Sequence, residues 1–147
     1  DVLSGDVWNV DWLKARGLNV NKKIIKLTIG GWRARLLDAV NISPARWTGS
    51  NASTFKDYII RVNGYDERFA GWGKEDHELA VRLWNAGISS RHIRYQAITM
   101  HLDHGRPYKN EEKFQRNLAI LAESKRTKSV WAPIGIRESG ADHTIEE

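Results

Sequence analysis

Residues 63–79 decide the fold and the site, and they read Asn63-Gly64-Tyr65-Asp66-Glu67-Arg68-Phe69-Ala70-Gly71-Trp72-Gly73-Lys74-Glu75-Asp76-His77-Glu78-Leu79. A loop of glycines and aromatic residues comes directly before two carboxylates, which are predicted to open a helix. There they lie near unpaired backbone N–H groups and the positive end of the helix dipole, which favours their ionised form. Glycines beside Trp72 let the backbone approach a ligand, and the indole offers a flat stacking face. The stretch therefore indicates a site that binds a polyol and takes a proton from it.

Length, composition and charge limit the functions that the chain can have. The chain has 147 residues, enough for one domain with a real core but few for an enzyme that binds two substrates. It has no cysteine, which excludes a disulfide framework, a thiolate metal site and a thiol nucleophile. A net charge of +5 suits a nucleotide diphosphate, a membrane surface or nucleic acid, although a merely soluble basic surface fits equally well. The seven tryptophans predict several in the core and one or two at a binding face.

The spacing of apolar residues gives a coarse secondary structure. Helices are predicted over 6–16, over 22–40 with a break at Gly30-Gly31, over 56–62 with a stop at Asn63-Gly64, over 74–85, and after an Asn110 cap. A strand is predicted over 47–55 and one strand or two short ones over 89–102, and the chain is expected to trail off from Ser124. The first strand is rich in small residues, which predicts that a ligand or another backbone packs very close to it.

The adjacent carboxylates Glu75 and Asp76 are candidates for chemistry. Neighbours on a helix point about 100° apart, so the two cannot share one face as an acid dyad. Separate roles are more natural, one as a base and the other as a hydrogen-bond acceptor for ligand hydroxyls. The alternative is that both simply stabilise the helix dipole, and the pattern leaves the two interpretations about even.

A second candidate is the segment Met100-His101-Leu102-Asp103-His104. Two histidines three residues apart could ligate a divalent metal. At the end of a strand they need not face the same way, so one ligand is favoured over two. A structural or solvated histidine remains the commoner alternative.

Together these residues resemble the C-terminal signature of inverting GT-A glycosyltransferases, the family 2 enzymes and relatives with a galactosyltransferase-type C-terminal region. The residues that carry the resemblance are Asn63-Gly64-Tyr65-Asp66-Glu67, Phe69, Gly71-Trp72-Gly73, Glu75-Asp76, Leu79 and Arg82-Leu83. It extends from about Gly49 to His104. The implied fold is α/β, the C-terminal portion of a Rossmann-like transferase fold for nucleotide-diphosphate sugars. The corresponding division is a helical lead-in over 1–46, the galactosyltransferase-like region over 47–123 and a tail over 124–147.

The resemblance also implies roles for single residues. Asp76 resembles the catalytic base that deprotonates the acceptor hydroxyl. Residues that resemble the acceptor-binding set are Glu75, Trp72 and Gly73. Gly49 and Asn51 match the small-residue strand beside the donor sugar. His101, with His104 as the alternative, resembles the ligand of the divalent metal, Mn²⁺ or Mg²⁺, that bridges the donor diphosphate.

Two departures from the family pattern affect what is expected. Lys74 stands where relatives often have glycine, and His77 where many have an acid, so the acceptor preference is expected to differ. The donor half of such enzymes ends in an Asp-x-Asp motif, and the sequence contains none. We therefore expect the C-terminal half of a longer enzyme, inactive alone and missing its N-terminal donor-binding half.

The resulting hypothesis is a glycosyltransferase segment that moves a sugar from a nucleotide-diphosphate donor to a saccharide acceptor with inversion, in surface polysaccharide or lipopolysaccharide synthesis. The expected location is cytoplasmic, with peripheral inner-membrane association left open. A non-catalytic saccharide-binding or assembly domain is the alternative. Nucleic-acid binding is not expected, because aromatic and basic residues do not interleave as a stacking platform requires.

Overall fold

The computed structural model describes residues 9–16, 29–40, 47–97, 99 and 110–137. The chain divides into two compact units, one with Asp1–Pro44 and Arg91–His101, the other with Ala45–Ser90 and Leu102–Glu147. In the described ranges the regular elements are all helices, namely α1 Val10–Ala15, α2 Gly31–Ala39, α3 Lys56–Arg61, α4 Glu75–Asn85 and α5 Glu111–Thr127. None of these helices is long and apolar enough to cross a membrane.

The first unit contains α1 and α2. The Asn9 side chain caps α1 by accepting the backbone N–H groups of Asp11 and Trp12. Helix α2 begins directly after Gly30, as the predicted break requires, and the earlier helical piece over 22–28 lies outside the described residues.

On α2, the buried Asp38 carboxylate accepts the backbone N–H groups of Arg94 and Tyr95 and the side-chain amide of Gln96. Burial raises the pKa of Asp38, but these hydrogen bonds outweigh it and lower the pKa below its ordinary value.

The second unit is built from α3, α4 and α5, whose ends follow local sequence signals. Helix α3 ends as predicted, with Asn63 and Gly64 both at positive φ and the Gly64 N–H returning to the Ile59 carbonyl. Helix α4 ends at Asn85, two residues before Gly87, which has a φ of 78°. Asn110 caps α5 by accepting the Lys113 N–H at 2.9 Å, also as predicted.

A small core and a buried ion pair hold α4 in place. Leu79 and Leu83 pack with Val62, the residue after α3. On the same helix Arg82 and Glu78, exposed by 0% and 1%, form an i,i+4 ion pair at 2.8 Å inside the protein. Ser124 of α5 donates to Glu78 at 2.8 Å, and Arg82 also donates to the Val62 carbonyl. The pair therefore joins α4 to both neighbouring helices.

The segment after α5 packs on the turn that ends α3. The buried Asn63 side chain donates to the carbonyls of Ala132 and Arg137 at 2.8 and 2.9 Å and accepts the Arg137 N–H at 2.8 Å. The expectation that the chain trails off from Ser124 is therefore wrong as far as residue 137. The three-part division of the chain stays a prediction.

Both predicted strands are wrong in the described residues, so the structure does not show a Rossmann-like α/β fold there. In 47–55 the Asn51 N–H donates to the Thr48 carbonyl at 2.9 Å and closes a turn. In 89–97 the backbone N–H groups of Arg94 and Tyr95 donate to Asp38. These donors are used by a turn and a carboxylate, and are not left for a neighbouring strand.

The expected placement of several tryptophans in the core is also wrong for the described chain. None of the tryptophans at 12, 32, 47, 72, 84 and 131 is fully buried. Trp84 on α4 is 69% exposed. The buried core of the second unit is aliphatic, and Trp47 packs against it while only partly buried.

Replacing Asn63 with alanine is expected to destabilise the protein by about 3 kcal/mol, because it leaves buried backbone groups of the 132–137 segment without partners. The free energy of unfolding from urea titration measures the effect. Gln115→Ala, which truncates an exposed amide on α5, is the control and should change stability by less than about 0.5 kcal/mol. Equal effects of the two variants would contradict the assigned role.

Candidate functional site

The carboxylate of Asp76 lies at the centre of a hydrogen-bonded cluster in the second unit. Its Oδ2 accepts the Gly49 backbone N–H at 2.8 Å, and its Oδ1 accepts the Tyr65 hydroxyl at 2.9 Å. The Trp47 indole N–H in turn donates to the Tyr65 hydroxyl oxygen at 2.9 Å. Asp76 itself is half-buried. The carboxylate is therefore fixed on one side and accessible on another.

Gly49 is where the 47–55 segment approaches this carboxylate. A Cβ at Gly49 would lie 2.9 Å from Asp76 Oδ1, so any larger residue would displace the carboxylate. The close neighbour of Gly49 is the side chain of Asp76 and not another backbone, which was one of the two predicted alternatives. A ligand beside these small residues stays a prediction. Asn51 completes the turn through its backbone N–H.

Glu75 and Asp76 point to different partners, as their spacing predicts. Glu75 Oε2 accepts the Gly73 N–H at 2.9 Å, so this hydrogen bond is to the loop directly before α4. Helix α4 begins after Lys74 without a side-chain cap, so Asp76 does not cap the helix that carries it. Both oxygens of Asp76 are engaged away from the helix, and helix capping alone does not account for its position.

The loop before α4 is held by Asn117 of α5. Asn117 is fully buried, and its side-chain amide donates to the carbonyls of Ala70 and Gly73 at 3.2 and 2.9 Å. Its side-chain oxygen accepts the Ala70 N–H at 3.2 Å. Every polar atom of the amide is therefore used to fix the loop that carries Trp72.

Trp72 lies on a second aromatic ring. The ring centroids of Trp72 and Phe114 are 6.0 Å apart with an interplanar angle of 16°, and Trp72 is 41% exposed. A Cβ at Gly73, whose φ is 113°, would lie 2.9 Å from the Phe114 ring. The Lys74 ammonium is 5.4 Å from the centroid of the same ring. This arrangement provides a rigid, flat and partly exposed surface of the kind that stacks against sugar rings.

Tyr65 is electrostatically coupled to the carboxylate. Partial burial raises the pKa of the Tyr65 phenol, the Trp47 indole opposes this, and the hydrogen bond and negative charge of Asp76 raise it further. A neutral phenol at neutral pH is the form that can donate to Asp76.

The predicted metal ligands His101 and His104 lie outside the described residues. Within the described part of the chain, no three histidine, aspartate or glutamate side chains come together as a metal site would require. The metal prediction therefore depends on the two histidines alone.

Comparison with known proteins identifies the class of domain. Residues 40–105, somewhat less than half of the chain, match a family described as the N-terminal domain of galactosyltransferase. This segment includes Gly49, Trp72, Asp76 and both histidines. The chain contains a glycosyltransferase-type domain.

Two curated relatives match over about half of the chain. An uncharacterized glycosyltransferase, YfnE, of Bacillus subtilis (strain 168) is 26% identical over 74 residues, which are 50% of this chain and 19% of the relative. A probable N-acetylgalactosaminyltransferase 9 of Caenorhabditis elegans is 30% identical over 76 residues, 52% of this chain and 13% of the relative. The chain thus spans less than a fifth of the length of either relative. No solved structure gives a significant match.

Several residues that build this site were not predicted from the sequence. Trp47 and Tyr65 support Asp76, and Phe114 and Asn117 support the Trp72 loop. Tyr65 lies within the quoted motif, but nothing in its spacing shows where its hydroxyl points. Phe114 and Asn117 lie outside the matched segment and occupy ordinary inward positions of α5.

The coupling between Tyr65 and Asp76 predicts a pH effect. In Asp76→Asn the negative charge is lost, so the pKa of the Tyr65 phenol should fall toward that of an exposed tyrosine. In the unaltered chain the raised pKa means that the folded state binds the phenol proton more tightly than the unfolded state. That stabilisation is present below pH about 10 and is lost as the pH rises through the folded pKa.

Ultraviolet difference titration of phenolate formation measures this shift, with Tyr65→Phe identifying the Tyr65 contribution. Asp57→Asn, which neutralises a first-turn acid of α3, is the matched control. An unchanged Tyr65 titration in Asp76→Asn would show that the hydrogen bond is absent in solution.

Proposed function

We propose that this chain is the acceptor side of an inverting, metal-dependent glycosyltransferase that uses a nucleotide-diphosphate sugar and a saccharide acceptor. The observation that carries the proposal is the Asp76 carboxylate, fixed by Gly49 and Tyr65 yet half-exposed at the start of α4. The matches to galactosyltransferase and N-acetylgalactosaminyltransferase sequences support sugar transfer in general. Inversion and a role in surface polysaccharide or lipopolysaccharide synthesis are parts of the proposal.

In the proposed reaction Asp76 acts as the general base. A hydroxyl of the acceptor sugar loses its proton to the carboxylate while its oxygen attacks the anomeric carbon of the donor. The new carbon–oxygen bond forms as the bond to the diphosphate breaks, and the nucleotide diphosphate leaves with the electron pair. Attack opposite to the leaving group inverts the anomeric configuration.

The acceptor is proposed to stack on Trp72. Phe114 supports the indole from behind, and Asn117 keeps the loop in one conformation. Glu75 is the candidate acceptor of sugar hydroxyl hydrogen bonds, and its bond to the Gly73 N–H leaves further lone pairs for that role. Gly49 and Asn51 remain the candidate residues beside the donor sugar.

A divalent metal, Mn²⁺ or Mg²⁺, is the proposed cofactor, held by His101 with His104 as the alternative. When bound, such an ion offsets the negative charge that develops on the leaving diphosphate. The described residues add no cluster of ligands to these histidines, so further ligands are proposed to come from elsewhere in the enzyme.

A non-catalytic saccharide-binding or assembly domain is the second candidate function. The absence of an Asp-x-Asp motif from the sequence favours it. Such a domain would keep the Trp72 surface and bind glycans without metal or donor.

Asp76→Asn in the full-length enzyme is expected to lower sugar transfer by about 10²–10⁴-fold, because the proton acceptor is lost. Donor binding should persist. UDP-galactose and UDP-N-acetylgalactosamine are suitable donors, with nitrophenyl glycosides as acceptors and release of UDP as the readout. Asp57→Asn is the control. Full turnover in Asp76→Asn would exclude it as the base, whereas metal-independent glycan binding without any turnover in the unaltered enzyme would favour the second candidate.

Replacing His101 with alanine should raise the manganese concentration needed for half-maximal donor binding by about tenfold or more, because a metal ligand is removed. Titration of donor binding with Mn²⁺ measures this change, and His92→Ala provides a histidine control in the described part of the chain. The same loss in His104→Ala alone would move the ligand role to His104.

A further inference from the structure

We infer that Tyr65 is a positioning residue for the base, and that Trp47 fixes the direction of its hydroxyl. This inference depends on the proposed function of Asp76. The three side chains form one chain of hydrogen bonds, from the Trp47 indole N–H to the Tyr65 hydroxyl and on to Asp76 Oδ1, each 2.9 Å long.

The direction of this chain follows from the chemistry of its members. An indole N–H can only donate, so the Tyr65 oxygen must accept from Trp47. Tyrosine has a single hydroxyl proton, and the remaining partner within reach is the Asp76 carboxylate. When ionised, Asp76 can only accept. The Tyr65 proton is therefore directed at Asp76, and the arrangement favours an ionised carboxylate.

The same bonds determine where Asp76 can take up a proton. Oδ1 already accepts from Tyr65, and Oδ2 already accepts from Gly49. Each oxygen keeps a lone pair that these two donors do not use. A proton taken from an acceptor hydroxyl must enter one of those lone pairs. Tyr65 and Gly49 thus orient the carboxylate, and neither has to give up or receive a proton itself.

In the described part of the chain, the charged residues next to these three in sequence lie on α4 and in the Tyr65 loop. The turn over 47–51 carries no ionisable side chain. Helix α4 places Glu75 and His77 beside Asp76, and Glu75 also acts electrostatically on the Tyr65 phenol. In the Tyr65 loop, Asp66 is paired with Arg68 at 2.7 Å. Loss of the Tyr65 hydroxyl would therefore act on the carboxylate mainly through the lost hydrogen bond.

Tyr65→Phe in the full-length enzyme tests the inference. With the donors and nitrophenyl glycosides named above, kcat should fall about tenfold to a hundredfold, while KM for the acceptor changes less than about twofold. Tyr58→Phe removes a hydroxyl from α3 that makes no hydrogen bond in the described part, and should leave both readouts unchanged.

Gly49→Ala provides a second variant that removes no hydrogen-bonding group. Its Cβ would meet the carboxylate, so kcat should fall as in Tyr65→Phe. Gly30→Ala is the matched control, since a Cβ there meets nothing within 4 Å. Normal kcat in Tyr65→Phe would overturn the inference and leave the proposed function standing.

A spectroscopic test separates the two claims. In the 147-residue chain labelled with ¹⁵N, the indole N–H resonance of Trp47, assigned with Trp47→Phe, should shift when Asp76 is replaced by asparagine. The same replacement should not move the resonance in a chain that already carries Tyr65→Phe, and should still move it in Tyr58→Phe. A Trp47 resonance insensitive to Asp76 would overturn the inference. A sensitive resonance in an enzyme that transfers no sugar would overturn the proposed function, and the inferred catalytic role with it.

Discussion

The buried ion pair between Glu78 and Arg82 is the constraint on which the geometry of the second unit depends. Removing a carboxylate and a guanidinium from water is costly unless every polar atom finds a partner. Here the partners are each other, the Ser124 hydroxyl of α5 and the Val62 carbonyl after α3. Only one rotation of α4 about its axis satisfies all of them.

That rotation places the candidate base. Asp76 precedes Glu78 by two residues, which is about 200° around a helix, so a buried Glu78 sends Asp76 to the opposite side. There it meets Gly49 and Tyr65. The ion pair thus acts on the site through the helix, although it touches none of the residues proposed to react.

Two aspartates explain why the predicted strands are turns and loops in the described chain. The Asp38 carboxylate accepts hydrogen bonds from the backbone N–H groups of Arg94 and Tyr95, and the Asp76 carboxylate accepts one from that of Gly49. Alternation of apolar residues predicts a strand only if a neighbouring strand satisfies its backbone. A carboxylate from a distant part of the chain can satisfy the same donors, and this competition is invisible to a local pattern.

The sequence predicted features that depend on near neighbours. The Asn110 cap, the Asn63-Gly64 stop and the opening of α4 by two acids involve residues at most a few positions apart. Asp76 could be singled out because its motif is continuous.

The residues that hold the site in place, such as Asn117 and Trp47, could not be predicted from near neighbours in the sequence. Asn117 is hydrogen-bonded to a loop that lies 44 to 47 positions earlier in the sequence. The Trp47 indole donates to a hydroxyl 18 positions later. Such contacts are set by helix packing and leave no periodic signal. The resemblance to glycosyltransferases likewise identified the motif without the residues that hold it.

Lys74 shows how firmly the loop is held. Its φ of 80° lies in the left-handed region, where a residue with a Cβ costs about 1–2 kcal/mol. Asn117 fixes the Gly73 carbonyl directly before it, and the Lys74 carbonyl accepts the Glu78 N–H at 2.9 Å directly after. The backbone on both sides therefore determines the conformation of Lys74, whatever its side chain prefers. Since Trp72 and Asp76 lie two residues on either side of Lys74, the constraints that impose this strain also fix the aromatic surface relative to the carboxylate.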